Sequence, residues 1–480
     1  MKEAGSAIRF GTDGWRGVIA DTVTFANVAR VTEAYGRWLT INAKPGARVL
    51  VGYDTRFLSG AFARTAAAVL TADGHQALLT PGPAPTPAVS WAVHHEGLAG
   101  ALMVTASHNP SIYNGIKIKA SYGGPALPEM TAAVEGLLLS PGARHAAAAG
   151  PALSAQEPPG VVMYDPRPSY LAQLARLVDL QALAEAKLRI VGDMMHGAAG
   201  GYLVDLFRGT GMDYTEVRGT PDPLFGGVHP EPLSPNLQPL FDAVNRLDAH
   251  VGVATDGDGD RIGAVDPVAG FVDAQQIFAL LLQHLVEVRG WRGMVVKTYA
   301  GTRMVQRLAE QYGLPYRETP VGFKHVCRLA LEQPVLIGGE ESGGIGIMNH
   351  LPERDGLLCA LLLLEIMAAR GKSLAGQVQD LMAQVGPHYY TRRDFHLPGP
   401  GPYSLEPLLA APPARIASFP VEEIETIDGV KLLLGDPGWV LFRMSGTEPL
   451  LRVYAEMESE DALQAVLSAA GRLAEELIAR

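Results

Sequence analysis

At 480 residues the chain is too long for one hydrophobic core, and its length argues for three or four domains. Its composition, 48% hydrophobic and 19% charged, is that of a globular protein, and 54 glycines and 35 prolines call for many tight turns rather than long helical rods. A net charge of -11 argues against broad nucleic-acid binding and against an anionic membrane surface, while leaving room for a local cluster of arginines around a phosphorylated small molecule.

No apolar run lies between Met1 and Phe10, so no secretory leader is expected. The two cysteines, Cys327 and Cys359, sit in apolar surroundings without metal-ligand neighbours and read as buried free thiols in a reducing cytoplasm. Phe10 to Gly17 reads as a backbone-led loop or a hairpin turn, in which Arg16 offers a rigid fork of donors to a phosphate or carboxylate. Thr24 caps a helix with Val28, Val31, Tyr35 and Trp38 on one side. Strand and helix then alternate: a buried strand from Arg48, a helix over 61–73, a strand at Gln76, a Pro-rich turn, a short helix and the apolar run Gly100 to Val104. That alternation predicts a mostly parallel sheet with helices on its faces. The run ends in Thr105-Ala106-Ser107-His108-Asn109-Pro110, which presents the Ser107 hydroxyl beside an imidazole at a strand end, in a reactive site or in a Ser turn. A strand with Lys117 and Lys119 on one side follows.

The Ala/Pro/Gly-rich stretch from Ser140 to Gly160 reads as a linker. Beyond it a helix over 169–183, a strand from Leu188 and a helix at Tyr202 lead to the Pro/Gly-rich segment Arg218 to Pro235, long enough for a functional loop. A strand from His250 runs into Asp256-Gly-Asp258-Gly-Asp260-Arg261. Three carboxylates in five residues repel unless a hard cation offsets them, and oxygen-only ligands favour Mg2+. An EF-hand is a poor match, because its twelfth position would be Pro267. The next unit has helices over 274–288 and 302–312, with Lys324 and His325 in a Gly-led loop. Glu340 and Ser342, in a glycine-framed loop, can grip vicinal sugar hydroxyls. The last unit mixes helix with antiparallel strand. Its Arg443-Met-Ser445-Gly446-Thr447-Glu-Pro449 turn, with Arg452 beyond, makes a dianion nest without the features of a nucleotide loop. A strand–turn–helix pattern recurs at Arg48, Leu188 and Met294, which fits three similar units and a distinct fourth.

These motifs, in this order and spacing, resemble the α-D-phosphohexomutase superfamily (the phosphoglucomutase/phosphomannomutase family) over essentially the whole chain. The resemblance implies three related α/β domains with mixed sheets plus a C-terminal α+β domain around a central cleft. The boundaries are 1–150 for the serine loop, 160–255 for the second domain, 256–372 for the metal and sugar loops, and 384–480 for the phosphate loop. It implies that Ser107 is a phosphoserine that donates its phosphoryl group to a hexose monophosphate, forming a hexose 1,6-bisphosphate that reorients and returns the other phosphoryl group. The same bisphosphate serves as activator. Asp256, Asp258 and Asp260 would hold Mg2+ together with Ser107. Arg261, His108 and Arg16 would lie near the transferring group, and Lys117 would act in proton transfer. Glu340 and Ser342 would hold sugar hydroxyls; Arg443, Ser445, Gly446, Thr447 and Arg452 would hold the other phosphate. Lys324 and His325 are candidates for substrate contact from their Gly-led loop, apart from the resemblance. A joint near Gln377 to Pro387 would open the cleft. The form Glu340-Glu-Ser-Gly-Gly344 looks like bacterial phosphoglucomutases, so glucose 1-phosphate and glucose 6-phosphate are the expected pair. The alternatives are dual glucose/mannose specificity, glucosamine phosphates, or synthesis of a sugar bisphosphate. The expected enzyme is a cytoplasmic monomer or homodimer, binding neither nucleic acid nor membrane.

Overall fold

The computed structural model describes residues 8–43, 45–138, 158–399, 401, 403–446 and 449–479. Most of the expected linker, and Thr447, lie outside the described residues.

The chain repeats one topology three times. In the first sheet Arg48–Tyr53 lies between two parallel neighbours, Gln76–Leu79 and Gly100–Val104, and Tyr113–Ala120 returns antiparallel beside the latter. In the second, Arg189–Asp193 lies between Asp213–Val217 and Val251–Thr255, and Ile262–Asp266 returns antiparallel. In the third, Met294–Thr298 lies between Tyr316–Thr319 and Val335–Gly339, and Ile345–Ile347 returns antiparallel. The faint repeat at Arg48, Leu188 and Met294 thus marks, in each sheet, the strand held between two parallel neighbours. The turn from the last parallel strand into the antiparallel return is the serine loop in the first sheet, Asp256 to Arg261 in the second and Glu340 to Gly344 in the third. Three unlike motifs occupy one structural position, at the carboxyl ends of parallel strands, where open α/β sheets bind ligands. Their parallel strands are buried on both faces: Gly100–Val104, Val251–Thr255 and Val335–Gly339 are buried at every residue.

The fourth domain is a wholly antiparallel sheet of Tyr389–His396, Leu450–Met457, Trp439–Met444, Val430–Leu433 and Glu423–Glu425. The helix Glu460–Ala479 covers it with Leu463, Val466, Leu467 and Ala470, and Ser459 caps that helix through the amide of Ala462.

The structure corrects several expectations. The boundary at 255/256 would split an antiparallel pair, because Thr255 faces Ile262 across the second sheet. The metal loop therefore belongs to the second domain, and the third opens with the helix Ala274–Glu287, capped by Asp273. Trp15–Val18, expected in a loop, is an edge strand against Tyr113–Ala120. Its glycine partner explains the close approach: a Cβ on Gly115 would stand 2.0 Å from the Trp15 carbonyl. The single helix expected over 169–183 is two, Arg167–Leu177 and Leu180–Glu185. Asp179 interrupts it by capping the second through the amide of Ala182 while its own N–H donates to Glu365. Lys324 and His325 sit in the first turn of the helix Phe323–Glu332 rather than in a loop. Most of the expected joint is the helix Leu374–Val385, which leaves Gly386 and Pro387 between that helix and the fourth domain. Both cysteines are buried free thiols. Among the described residues no helix is long and apolar enough to cross a membrane.

Candidate active site

The serine loop is held by a residue that sequence reading passed over. Arg56 donates through Nη2 to the carbonyls of Ser107 at 2.5 Å and Asn109 at 2.6 Å, and through Nη1 to those of Pro110 at 2.8 Å and Tyr113 at 3.0 Å. Its Nε pairs with Asp54 at 3.1 Å. Asp54 also accepts the Thr105 hydroxyl at 2.6 Å, and Thr105 in turn accepts the Ser107 amide at 2.8 Å. This clamp holds Ser107 at φ +53°, a left-handed conformation that serine rarely adopts. The only hint in the sequence was an Asp and an Arg closing an otherwise apolar strand.

From that position the Ser107 hydroxyl donates to Asp256 Oδ2 at 3.1 Å. The neighbouring His108 is surrounded by cations. Burial first, then the guanidinium groups of Arg261, Arg16, Arg452 and Arg392, hold its imidazole well below the usual range, so it is neutral. Its Nδ1 is buried with no partner among the described residues. Arg16 reaches across to Asn109 Oδ1 at 2.6 Å, fixing the loop's far side.

The three aspartates each offer a ligand oxygen, and these atoms lie within 4.8 Å of one another. All three residues are fully buried. One oxygen of each is committed to the protein. Asp256 Oδ1 accepts the amides of Asp260 and Arg261 at 2.9 and 3.2 Å. Asp258 Oδ2 accepts the Thr86 hydroxyl at 2.5 Å and Lys117 at 2.7 Å, and Asp260 Oδ2 accepts Lys117 at 2.9 Å. The Oδ1 atoms of Asp258 and Asp260 have no partner among the described residues. Burial, then repulsion from Asp258 and Asp260, pushes the Asp256 carboxyl well above its ordinary range. Partnerless buried carboxylate oxygens and mutual repulsion are the conditions that a divalent cation relieves, and an all-oxygen donor set fits Mg2+.

Lys117 completes the loop's second side. Its ammonium lies 2.9 Å from Asp13, 2.7 Å from Asp258 and 2.9 Å from Asp260. Burial opposes its charge, but the attraction of Asp13, Asp258 and Asp260 outweighs that and holds it above the ordinary lysine range. In this arrangement it is a fixed cation.

A cleft runs beside these groups, lined by Asp13, Arg16 and His108, with Ser107, Lys117 and the three aspartates buried behind its wall. Arg16 and His108 line it from the first domain, Glu231 and Arg261 from the second, Glu340, Ser342 and Arg354 from the third, and Arg443, Ser445, Gly446 and Arg452 from the fourth. Glu231, from the long Pro/Gly-rich segment, orients Arg261 through a 2.9 Å ion pair. Burial raises the carboxyl of Glu340, opposed by Arg354 at 2.9 Å. At the far end Arg443 pairs with Asp428 at 2.8 Å and Arg392 with Asp394 at 3.0 Å. Lys324 stands outside this cleft, its Nζ 3.4 Å from the Gly11 carbonyl, and His325 does not line it. Arg354, Glu231 and Arg392 were missed because each acquires its meaning only when distant segments meet.

A buried serine on a carboxylate cluster, beside a cleft into which all four domains send arginines, has the makings of a phosphotransferase acting on a small phosphorylated substrate. Family models of phosphoglucomutase/phosphomannomutase match the chain in four consecutive pieces: alpha/beta/alpha domain I at residues 7–144, domain II at 168–270, domain III at 273–385 and the C-terminal domain at 405–470. A "Phosphoglucomutase/phosphomannomutase" of Thermococcus kodakarensis is 32% identical over 98% of this chain and 99% of its own. A "Phosphoglucosamine mutase" of a Synechococcus species is 33% identical over 93% of this chain and 90% of its own. A crystal structure of a protein assigned as a phosphomannomutase, from Thermus thermophilus, superposes with a TM-score of 0.85 at 39% identity, covering 98% of this chain and 99% of that one. The chain belongs to the phosphoglucomutase/phosphomannomutase family, and its activity is of the phosphohexomutase type. The expected special likeness to bacterial phosphoglucomutases is not supported, since these relatives carry glucose/mannose, mannose and glucosamine names.

Proposed function

We propose that the protein interconverts hexose 1-phosphates and hexose 6-phosphates through a phosphoserine at Ser107, with both glucose and mannose phosphates as substrates. The observation that carries the serine assignment is the Ser107 hydroxyl, 3.1 Å from Asp256 in a cluster with partnerless carboxylate oxygens. Dual specificity, rather than the glucose preference expected from the sugar loop, is supported by the glucose/mannose name of one relative matched along 98% of this chain, and the glucosamine names of others make glucosamine phosphates the second reading.

In the first half-reaction a sugar hydroxyl attacks the phosphorus of phosphoserine 107. The new bond is sugar oxygen to phosphorus, the Ser107 Oγ–phosphorus bond breaks, and a hexose bisphosphate forms. After the bisphosphate turns end for end, Ser107 Oγ attacks its other phosphoryl group: the Oγ–phosphorus bond forms, the bond from that phosphorus to the sugar oxygen breaks, and the hexose leaves as the isomeric monophosphate. Asp256, Asp258, Asp260 and the serine phosphate would hold Mg2+, whose charge offsets that of the transferring group when it is bound. Neutral His108, beside Ser107 in the loop, would help position the transferring group. Lys117, whose ammonium lies between Asp13, Asp258 and Asp260, would take part in general acid–base transfer between the attacking hydroxyl and the leaving oxygen, as expected from resemblance. Arg16 and Arg261 border the transferring group, and Glu340 and Ser342 grip sugar hydroxyls. Arg443, Ser445, Gly446 and Arg452, with Arg392, hold the phosphate that is not transferred. Catalytic hexose 1,6-bisphosphate would rephosphorylate any serine that loses its phosphate.

The test is a rate comparison with Mg2+ and a trace of hexose 1,6-bisphosphate on glucose, mannose and glucosamine 1-phosphates, following each 6-phosphate. Rates for glucose and mannose within about tenfold, a gap of ~1.4 kcal/mol in transition-state energy, support the proposal. A preference for glucose beyond a hundredfold restores the narrower reading, and fastest turnover of glucosamine phosphate replaces it.

A further inference from the structure

We infer that Arg354 is a positioning residue that locks the sugar-gripping Glu340 and the metal-loop Asp260 into one frame; the inference rests on the phosphohexomutase reading of the cleft. Its guanidinium, 4% exposed, spans three domains. It binds Asp13 from the first, Asp260 Oδ2 at 2.8 Å from the second and Glu340 Oε2 at 2.9 Å from the third. Those carboxylates overcome burial and hold its charge firmly.

The backbone around Arg354 is equally fixed. It immediately precedes Asp355, which caps the helix Gly356–Arg370 through the amide of Leu358 at 2.8 Å and accepts the buried Tyr170 hydroxyl at 2.8 Å. The next residue, Gly356, donates to the Gly259 carbonyl at 3.1 Å, and Ile262 donates to that of Gly343 at 3.1 Å. Metal loop and sugar loop are therefore stitched through the backbone on either side of the Arg354 fork. The stem of Arg354 also explains the glycine at 344. A Cβ there would stand 2.4 Å from Arg354 Cδ and 3.1 Å from Glu340 Oε2, so the space for a side chain at 344 is taken by Arg354 itself. By engaging Oδ2 of Asp260, Arg354 leaves Oδ1, which has no partner among the described residues, as the oxygen for a cation. A bidentate fork fits this geometry, whereas an ammonium cannot serve all three carboxylates with the same planarity. Partners of metal-binding carboxylates set ligand orientation, and losing them typically costs about 10–100-fold in metal affinity or activity.

The test uses the full-length protein with Arg354→Lys, which keeps the charge, and Glu340→Gln, which removes one partner. Mg2+ affinity is read by calorimetry without turnover, and kcat and KM separately. The expected result is Mg2+ binding about 10–100-fold weaker in R354K, with kcat falling more than KM rises. Glu340→Gln, which touches no metal ligand, is expected to shift Mg2+ affinity in the wild-type background and not in R354K. Equal Mg2+ affinity in wild type and R354K, or an E340Q effect unchanged by R354K, overturns the inference while leaving the phosphohexomutase reading intact. Wild type that binds Mg2+ no better than Asp260→Asn overturns both.

Discussion

The two ends of the cleft are built on different principles. At the serine end every charge is buried and shared. Ser107, the three aspartates, Lys117, Asp13 and Arg354 form one ionic lattice drawn from three domains, and its residues are almost wholly removed from water. At the phosphate end the arginines come from one antiparallel sheet. Arg443 faces Arg452 in register across two neighbouring strands, and their acidic partners, Asp428 and Asp394, are about a quarter exposed. The first arrangement can tolerate little displacement, because moving one member leaves another charge buried without compensation. The second keeps its acidic partners closer to solvent and, on the proposed mechanism, would seat the phosphate that is not transferred. On that proposal a bisphosphate that exchanges its ends would use one site of each kind.

The largest break in this contrast is Ser107→Ala. It removes the acceptor and leaves the seat, so multiple turnovers should fall by about four orders of magnitude or more, while binding of hexose 1,6-bisphosphate measured by calorimetry stays within a few-fold. Retained turnover would end the assignment of Ser107. Arg443→Ala should do the reverse. Loss of a charged contact to phosphate, worth about 1.5–3 kcal/mol, should raise KM by roughly 10–100-fold and leave phosphorylation of Ser107 by the bisphosphate intact. If kcat fell as far as KM rose, the phosphate end would share in the chemistry and the division of labour would be wrong.

What could be read in the sequence follows the same divide. Thr105 to Pro110, Asp256 to Arg261 and Glu340 to Gly344 announce themselves because each packs its chemistry into a few adjacent residues at a strand end. Their equivalence does not, because identity between the repeats has faded and only hydrogen-bond registers reveal that all three occupy the same turn. Arg56, Glu231 and Arg354 are single polar residues, each with a site partner far along the chain, at 51, 30 and 94 positions (Ser107, Arg261 and Asp260), so no local pattern marks them. The strand Trp15–Val18 was hidden for a related reason. Gly14, which reads as a loop residue, stands just before it where a Cβ would lie 2.6 Å from the Ile116 carbonyl, so this glycine lets two backbones approach. Lys324 and His325 were drawn toward the substrate by the glycine before them, read as a loop, whereas the geometry puts Lys324 against the Gly11 carbonyl and both outside the residues lining the cleft.

The smallest expected effect separates pH dependence of the fold from that of the reaction. Asp273 caps the helix Ala274–Glu287 in a reciprocal capping box, accepting the amide of Gln276 at 2.9 Å. Burial pushes its carboxyl up to about 6, against the amides of Gln276 and Gln275 and aided by Glu456. Because the folded value lies above the unfolded one, protonation of Asp273 stabilises the fold fully below about pH 4, and that stabilisation is lost as pH rises through about 6. Asparagine caps as well as aspartate and does not titrate. Asp273→Asn should therefore raise the denaturation midpoint at pH 8, by an amount on the order of 1–3 kcal/mol, and the advantage should shrink toward nothing at pH 4. The pH profile of kcat should not move, because Asp273 touches neither the serine lattice nor the phosphate seat. A midpoint difference independent of pH would mean that the carboxyl is ionised in the fold at all these pH values and that its burial is compensated by the helix end. A displaced kcat profile would show that the two ends of the cleft are coupled through the helix that Asp273 begins.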